Sequence, residues 1–304
     1  MFVKLLTESM PDDQHIVVHG ERASVKPAEE VKREFVSSNV RFIKWESATR
    51  SVNPIKDLMA LTELYNILTR LKAKGMADAV HLHSSKSGLL GRIAARFAGI
   101  DQVFYTPNGA SFLSSKSKFG AMLFKAIEKL GSLFGGKLVC CSPSEYEAYK
   151  SLGIDATYIN NGIQLEEIVT PKTIEQDNKP FTIVTSGRID DQKNPELFNE
   201  IAKALSDIKD IRFVWVGDGV QRNLLSAPNI TVTGWCDKQE VLKWVNNANV
   251  YLSTSRYEGL SFSVMEALSL KKPVLLSECT GNVDMVRQGM NGDLFQNASE
   301  AIVR

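Results

Sequence analysis

The second half of the sequence alternates short β-branched segments with amphipathic segments, and this alternation restricts the chain to few folds. PFTIVTSGR, IRFVWVGDG, NITVTGW, NVYLSTS and PVLLS have the composition of strands, and several end in glycine and polar residues. Helices are predicted to begin at Asn194, with Pro195 in first position, and at Asp237, where Glu240 fits a capping box. Strands that alternate with helices predict a parallel sheet covered on both faces.

The first half shows the same alternation with a weaker pattern. QHIVVHG, VRFIKW, AVHLHSS, VFYTPNG and KLVCCS are predicted strands. Helices are predicted at NPIKDLMALTELYNILTRLKAK, SGLLGRIAARFAG and FGAMLFKAIEKLGSLFG, and from Pro143 onward. Residues 164–180 are polar and aperiodic and contain two prolines, which is typical of a linker. We therefore predict an α/β fold of two doubly wound, Rossmann-like domains at 1–163 and 181–304, joined by residues 164–180.

Composition excludes several classes of function. The 304 residues include 36 basic and 35 acidic side chains, and a net charge of +1 argues against nucleic acid as a partner. No apolar segment reaches the length of a membrane span, and the first residues are too short and too soon polar for a signal peptide. The four cysteines form no CxxC pair, so we expect free thiols in a reducing compartment. These features predict a cytoplasmic protein.

Glycines and charged residues follow the strands of the second half, at the edge where parallel sheets bind ligands. The residues in question are Ser186-Gly187-Arg188, Gly217-Asp218-Gly219, Gly234-Trp235 and Arg256-Tyr257-Glu258-Gly259. Arg188 and Lys193 lie five residues apart and can both reach an anion. The N–H groups of Gly259, Leu260 and Ser261 are expected to open a helix, and such N–H groups bind phosphate. This edge therefore predicts a diphosphate site.

Two glutamates with seven residues between them, Glu258 and Glu266, accompany these cations. A carboxylate does not favour phosphate but accepts hydrogen bonds from hydroxyl groups. Glu266, about two turns into the expected helix, is placed to bind a ribose, as the acidic residue of dinucleotide sites does. Glu258, in the loop before the helix, lies closer to the group that is attached to the other end of the diphosphate. A nucleoside diphosphate sugar fits this arrangement, with a hydroxyl-binding acid at each end.

The same residues resemble the motifs of retaining GT-B glycosyltransferases of family 4. RYEGLSFSVMEAL is similar to the family's acid-x7-acid segment, and SGRIDDQKN is similar to its Gly-Arg-x4-Lys-Asn loop. VGDG, GW, NNGI and TPNG occur in the order that the family uses, so the resemblance covers roughly residues 80 to 295. It implies two domains facing a central cleft, the first for the acceptor and the second for the donor. It also implies sugar transfer with retention to a glycan or lipid-linked acceptor, in surface polysaccharide biosynthesis.

The resemblance further implies roles for individual residues. Arg188 and Lys193 would bind the donor diphosphate and stabilise its charge, Glu258 would contact the donor sugar, and Glu266 would contact the ribose. Gly234 would lie next to the nucleotide base of the donor. Because these fixed cations replace a divalent metal, no metal and no cofactor are expected. The other expected donor contacts are Gly187, Asn194, Gly217, Trp235, Gly259, Leu260, Ser261 and Asn108.

Three features depart from the family. Asn108 stands where the family usually has histidine after Thr-Pro, and an amide can donate hydrogen bonds but cannot carry a proton. The family begins with a strand and a glycine-rich loop, whereas Met1 is expected to lie inside the first helix. The sequence ends at Arg304, before the long helices that usually return to the first domain. Two alternatives stay open: a nucleotide-sugar epimerase, which would change the donor without an acceptor, and a non-catalytic subunit that binds the donor without transfer.

The segment 112–137 is basic and apolar at once. It contains five lysines among apolar side chains, and a helix of this kind either packs its apolar face on the core or lies on an anionic membrane. The second interpretation predicts peripheral contact with the inner face of a membrane and a lipid-linked acceptor. The residues concerned are Lys116, Lys118, Lys125, Lys129 and Lys137, with Phe119, Met122, Leu123, Phe124, Ile127 and Leu130.

Overall fold

A computed structural model describes residues 2–21, 28–35, 37–49, 51, 53–114, 117–165, 168 and 180–304. The described residues fall into two compact units. The first draws on Met1–Pro107, Ser117–Val139 and Tyr149–Thr157, and the second on Asn108–Lys116, Cys140–Ala148 and Tyr158–Arg304. Most of the predicted linker at 164–180, and Lys116 of the basic segment, lie outside the described residues. The domain limits expected from the sequence therefore stay a prediction.

Every strand and helix named from the sequence is present, and the described residues contain two further strands and two further helices. The strands are β1 (His15–His19), β2 (Val40–Lys44), β3 (Val80–His83), β4 (Val103–Thr106), β5 (Lys137–Cys140), β6 (Ala156–Tyr158), β7 (Phe181–Ser186), β8 (Ile211–Val216), β9 (Ile230–Val232), β10 (Val250–Ser253), β11 (Val274–Ser277) and β12 (Gly292–Phe295). The helices are α1 (Phe2–Glu8), α2 (Ala28–Lys32), α3 (Pro54–Ala73), α4 (Ser85–Ala98), α5 (Lys118–Ser132), α6 (Pro143–Lys150), α7 (Pro195–Ala204), α8 (Lys238–Asn246), α9 (Phe262–Ser269) and α10 (Ala298–Val303). The strands that the sequence did not predict are β6 and β12, and the helices that it did not predict are α2 and α10.

The second unit contains a six-stranded sheet in the order β12-β11-β10-β7-β8-β9. All five neighbouring pairs are parallel, as the alternation of strands and helices predicts. Side chains of β8 alternate between two cores: Phe213 and Trp215 pack with α7 and α10, whereas Val214 and Val216 pack with α8 and α9. Burial on both faces explains why these strands are almost continuously apolar.

Helices α7 and α8 of this unit begin where the sequence signals place them. The side chain of Asn194 accepts a hydrogen bond from the N–H of Leu197, and Pro195 is the first residue of α7. The carboxylate of Asp237 accepts the N–H of Glu240 at 2.8 Å and so caps α8. These caps fix the loops that precede the helices, and those loops lie at the carboxyl edge of the sheet.

The first unit is built around a four-stranded sheet in the order β3-β4-β5-β6 and a two-stranded sheet of β1 and β2. The pairs β1-β2, β3-β4 and β4-β5 are parallel. The first described residues are helical, as expected, and the Phe2 ring of α1 lies 5.1 Å from the His83 ring at the end of β3. Within the described ranges, no helix combines the length and the hydropathy that a bilayer crossing requires.

Candidate functional site

The loop between β7 and α7 brings Arg188 and Lys193 to the carboxyl edge of the six-stranded sheet. Gly187 donates its N–H to the carbonyl oxygen of Val216 at 3.0 Å, which continues the strand pairing past β7. The N–H of Lys193 returns to the carbonyl oxygen of Asp190 at 3.1 Å, so the loop is a compact turn. The Arg188 side chain is 43% exposed, and its guanidinium lies 3.3 Å from the Asp190 carboxylate. Arg188 is therefore available to an anion from solvent.

Lys193 and Glu258 form an ion pair in this site, although they are 65 positions apart in the sequence. The Nζ of Lys193 lies 2.7 Å from Oε1 of Glu258. The same oxygen accepts a hydrogen bond from the Ser255 hydroxyl at 2.6 Å, and Oε2 accepts one from the Gln192 amide at 3.4 Å. Glu258 is buried. The structure thus brings together the cation that the sequence assigned to the donor diphosphate and the acid that it assigned to the donor sugar.

The ion pair fixes the charge of Lys193. Burial is the largest single influence and lowers the pKa of this ammonium, but the Glu258 carboxylate and other nearby groups together outweigh burial, and the pKa is raised above its ordinary value. Tyr251 and Asp190 act in the same direction. Lys193 therefore stays positively charged at neutral pH, which a diphosphate-binding residue requires.

Three backbone N–H groups follow Glu258 directly. The N–H of Glu258 itself donates to the carbonyl oxygen of Thr280 at 2.9 Å. In contrast, the N–H groups of Gly259, Leu260 and Ser261 donate to no residue that the structure describes. Helix α9 begins at the next residue, so its positive end adds to their attraction for an anion. Contact between these N–H groups and a phosphate stays a prediction.

The turn at Asn108 and Gly109 packs backbone to backbone against Gly259. Both residues of this turn have positive φ, 56° and 106°. A Cβ atom on Gly259 would lie 2.9 Å from the nitrogen of Gly109, so only glycine permits this approach. The side-chain oxygen of Asn108 accepts a weak hydrogen bond from the Cys141 thiol at 3.4 Å. Asn108 thus lies beside the turn that contains the three N–H groups.

Glu145 holds this turn, and sequence reasoning missed it. One carboxylate oxygen accepts the N–H of Gly109 and the other accepts the N–H of Cys141, both at 2.7 Å. The side chain is fully buried. Ser142 and Glu145 have capping-box spacing at the start of α6, and the Ser142 hydroxyl does accept the N–H of Glu145 at 3.2 Å. That signal predicts a local cap, not a bond to a turn 36 positions away.

Glu266 lies one turn into α9, not two, because the helix begins at Phe262 and not at Gly259. It is buried, and its carboxylate pairs with the ammonium of Lys238 from the first turn of α8. Lys238 was not identified from the sequence. The ion pair explains how a carboxylate is held among the apolar residues of α9, since a buried charge requires a partner.

The glycines that follow β7, β8 and β9 come together at one edge of the sheet, as predicted. Gly217 forms an isolated bridge with Gly234, and a Cβ on Gly217 would lie 2.1 Å from the carbonyl oxygen of Gly187. The sequence argument expected these glycines to admit a ligand, whereas Gly217 admits the backbone of the neighbouring loop. Trp235, next to Gly234, is 63% exposed, and its role as a donor contact stays a prediction.

The remaining predicted contacts are covered. Asn194 is buried with φ of 54°, and its side chain caps α7. Leu260 and Ser261 are also buried, and the Ser261 hydroxyl lies 3.0 Å from that of Ser263. The role of these residues as donor contacts stays a prediction.

The two histidines of β3, His81 and His83, lie side by side with ring centroids 4.3 Å apart. His81 lies 2.8 Å from the hydroxyl of Thr106, and burial, followed by the charge of His81, lowers the pKa of His83 to about 3. In the part of the chain that the structure describes, no three His, Cys, Asp or Glu side chains are grouped to hold a metal ion.

Comparisons with known proteins agree with this fold. Residues 7–167 match the family model Glycosyltransferase Family 4, and residues 180–304 match Glycosyl transferases group 1. The UDP-Gal:alpha-D-GlcNAc-diphosphoundecaprenol alpha-1,3-galactosyltransferase of Escherichia coli is 31% identical over 285 residues, which are 86% of this chain and 73% of the relative. The N,N'-diacetylbacillosaminyl-diphospho-undecaprenol alpha-1,3-N-acetylgalactosaminyltransferase of Campylobacter jejuni is 23% identical over 88% of this chain and 76% of its own length.

Solved structures of similar proteins share the fold. Anabaena HepE, determined in complex with UDP and glucose, aligns with a TM-score of 0.73 at 14% identity, over 99% of this chain and 83% of HepE. A sucrose-phosphate synthase from Thermosynechococcus elongatus aligns with a TM-score of 0.72 at 18% identity, over 93% of this chain and 75% of the synthase. With a family model that matches more than half of its residues, and a relative at 31% identity, the chain belongs to glycosyltransferase family 4 and is a glycosyltransferase of the GT-B type.

Proposed function

We propose that this glycosyltransferase moves a sugar from a nucleoside diphosphate sugar to a lipid-linked acceptor, with retention at the anomeric carbon. The observation that carries the proposal is the convergence of Lys193, Glu258 and the N–H groups of Gly259–Ser261 at one edge of a parallel sheet. Cationic and N–H groups suit a diphosphate, and the adjoining carboxylate suits sugar hydroxyls.

The choice of acceptor rests on the relatives. The names of the Escherichia coli and Campylobacter jejuni enzymes both specify a sugar on diphosphoundecaprenol as the acceptor. The chain covers about three quarters of the length of each. We infer an acceptor of the same chemical class, a saccharide on a polyprenyl diphosphate, used in assembling a surface polysaccharide.

In the proposed reaction, departure of the nucleoside diphosphate is the costly event. Arg188, Lys193 and the N–H groups before α9 would stabilise the negative charge that develops on it. The bond from the anomeric carbon to the diphosphate breaks while the acceptor hydroxyl bonds to the same face of the sugar. The proton of that hydroxyl passes to a diphosphate oxygen. Glu258 would accept a hydrogen bond from a hydroxyl of the donor sugar, and Glu266 would accept one from a hydroxyl of the ribose.

Because fixed cations face the leaving group, we propose that turnover needs no divalent metal. Activity in excess EDTA should equal activity in Mg²⁺ if Arg188 and Lys193 supply the charge. A strict requirement for Mg²⁺ or Mn²⁺ would contradict this part of the proposal.

The test is a transfer assay with a panel of nucleoside diphosphate sugars and a short-chain polyprenyl diphosphate acceptor bearing one sugar. UDP-galactose is the first donor to try, since the Escherichia coli relative is named for it. We expect one donor to give product with the anomeric configuration of the donor, measured by the one-bond C–H coupling in NMR. An inverted product, or no transfer from any donor, would contradict the proposal.

Substitutions connect the activity to the site. Lys193→Ala should lower kcat/KM by ~100-fold or more, because removing one preorganised charge-stabilising group typically has an effect of that size. Lys203→Ala, at an exposed lysine in the last turn of α7, is the matched control and should leave activity unchanged. Similar activity in both variants would show that Lys193 does not act on the leaving group.

The same assay separates the two alternatives. A nucleotide-sugar epimerase would convert the donor in the absence of any acceptor, so donor alone should be incubated and its sugar identified. A non-catalytic subunit would bind the donor, raising the melting temperature, without transfer to any acceptor. We expect unchanged donor in the first experiment and transfer in the second.

A further inference from the structure

Helix α5 turns apolar side chains toward solvent. Five apolar side chains are between 47% and 80% exposed: Phe119, Met122, Leu123, Leu130 and Leu133, the last of which is the C-cap residue of α5. Met122 and Leu123 follow Phe119 by three and four residues, Leu130 follows Leu123 by seven, and Leu133 follows Leu130 by three, which places all five on one face of the helix. The sequence left open that the apolar face of this helix packs on the core; for the four of these residues named there, Phe119, Met122, Leu123 and Leu130, that interpretation is wrong.

The opposite face of α5 explains this orientation. Glu128 is 1% exposed, and its carboxylate accepts a hydrogen bond from the Tyr105 hydroxyl at 3.0 Å and lies 3.4 Å from Nη2 of Arg92. Gly131, one turn later, allows the Arg92 side chain to lie against the helix, because a Cβ there would be 2.2 Å from Nη2. Rotating the helix to bury its apolar stripe would leave a buried charge without its partner. The core therefore holds α5 with its apolar stripe outward.

Lysines border the apolar stripe. Lys118, Lys125 and Lys129 are exposed and, at spacings of seven and four residues, share one flank of it. The sole acidic residue of α5 is Glu128, which is buried, so the exposed part of this helix is cationic. The rest of the chain nearly balances its charges, since the total is +1. An apolar stripe with a cationic border is complementary to the headgroups and upper acyl chains of an anionic bilayer.

We propose that the exposed face of α5 docks on an anionic lipid bilayer, with the apolar stripe in the interfacial region and the three lysines against lipid phosphates. The inference deepens the proposed function, since a polyprenyl diphosphate acceptor resides in a membrane. It stands on a separate set of residues in the first unit and can be tested without any donor or acceptor.

The experiment is vesicle flotation of the full chain. Vesicles of phosphatidylcholine with phosphatidylglycerol should carry the protein to the top of the gradient, and vesicles of phosphatidylcholine alone should carry far less. The combined Lys118→Gln, Lys125→Gln and Lys129→Gln variant should bind on the order of 100-fold more weakly, from roughly fivefold for each lysine near an anionic surface. The Phe119→Ser, Leu123→Ser variant should lose flotation on both vesicles.

Helix α3 provides the matched control. It also exposes apolar side chains, Leu58 and Met59 among them, but beside the acids Asp57 and Glu63. The Leu58→Ser, Met59→Ser variant should float like the unmodified protein. Equal flotation of the α5 variants and the unmodified protein, equal loss in the α3 variant, or no flotation of the unmodified protein would each overturn the proposal.

Two further measurements separate this inference from its rivals. With the water-soluble short-chain acceptor, the α5 variants should transfer as well as the unmodified protein, whereas with acceptor embedded in vesicles their rate should fall. If no variant transfers at all, the proposed function fails while flotation still decides the role of α5. A dimer in sedimentation equilibrium that disappears in Phe119→Ser, Leu123→Ser, without any vesicle binding, would assign the face to a second copy of the chain and overturn the proposal.

Discussion

Lys193 and Glu258 depend on each other, and this dependence is testable. Each is largely removed from water, and the 2.7 Å contact compensates both charges. Glu258→Ala leaves an ammonium that burial destabilises, so we expect the free energy of unfolding to fall by about 2 kcal/mol, below the usual range for a fully buried pair. The measurement is urea denaturation of both single variants and of the double variant Lys193→Ala, Glu258→Ala.

The double variant distinguishes a true pair from two independent residues. Since it leaves no unpaired charge, its loss of stability should be smaller than the sum of the two single losses. Strict additivity would show that the ion pair contributes nothing, and the site would then need another explanation for how it holds a buried acid.

The position of the predicted site residues at one edge of the sheet followed from the sequence, and their ion-pair partners did not. Spacing after strands identified Arg188, Lys193, Glu258 and Glu266, because parallel strands place their carboxyl ends on one edge. The pairing of Glu258 with Lys193, and of Glu266 with Lys238, joins segments 65 and 28 positions apart. Such contacts follow from how strands are ordered within the sheet, which local spacing does not encode.

Two turns and one helix start form a single element of the site. The turn at Asn108 and Gly109 lies on Gly259, and Glu145 at the start of α6 holds that turn through the Gly109 N–H at 2.7 Å. Glu145 accepts one backbone N–H on each of its two carboxylate oxygens. Its position determines where Asn108 sits relative to the N–H groups that precede α9.

Glu145→Gln should loosen this element while leaving the rest of the fold intact. An amide can accept only one of the two N–H groups and presents its own NH₂ to the other. Loss of a charge-assisted bond predicts destabilisation by about 2 kcal/mol. Hydrogen exchange at the Gly109 amide should accelerate, and donor affinity should fall. Glu147→Gln, at an exposed acid of the same helix, is the control. Unchanged exchange at Gly109 in the first variant would contradict the role given to Glu145.

Most helices and strands followed from the sequence, whereas the short helices α2 and α10 and two edge strands, β6 and β12, did not. β7, β8 and β10 are rich in β-branched and aromatic residues because the sheet buries them on both faces. β12 lies at the edge of its sheet, comprises four residues and begins with glycine, and β6 comprises three residues. Short edge strands bury little, so their composition resembles that of loops.

The orientation of α5 also did not follow from the sequence. The helix has the sequence pattern of a core helix and yet exposes its apolar stripe, because Glu128 takes the buried position.

The stability of the whole chain should depend on pH through β3. His83 carries a pKa of about 3 in the folded state, set by burial and then by His81, against 6.5 in the unfolded chain. Above pH 6.5 neither state binds a proton at this imidazole. As pH falls from 6.5 toward 3, the unfolded state binds a proton and the folded state does not, so stability is lost.

His83→Gln removes this contribution and isolates it from the carboxylates, which titrate in both proteins. Between pH 7.5 and pH 5.0 the unmodified protein should lose about 2 kcal/mol more than the variant, from about 1.4 kcal/mol for each pH unit below 6.5. Urea denaturation of both proteins at the two pH values gives the four free energies needed. The variant should be the less stable protein at pH 7.5, since its amide replaces a packed ring, and the gap should narrow or reverse at pH 5.0. Two parallel pH profiles would mean that His83 takes up a proton in the folded state, and the β3 end would then be an open, hydrated site and not a packed one.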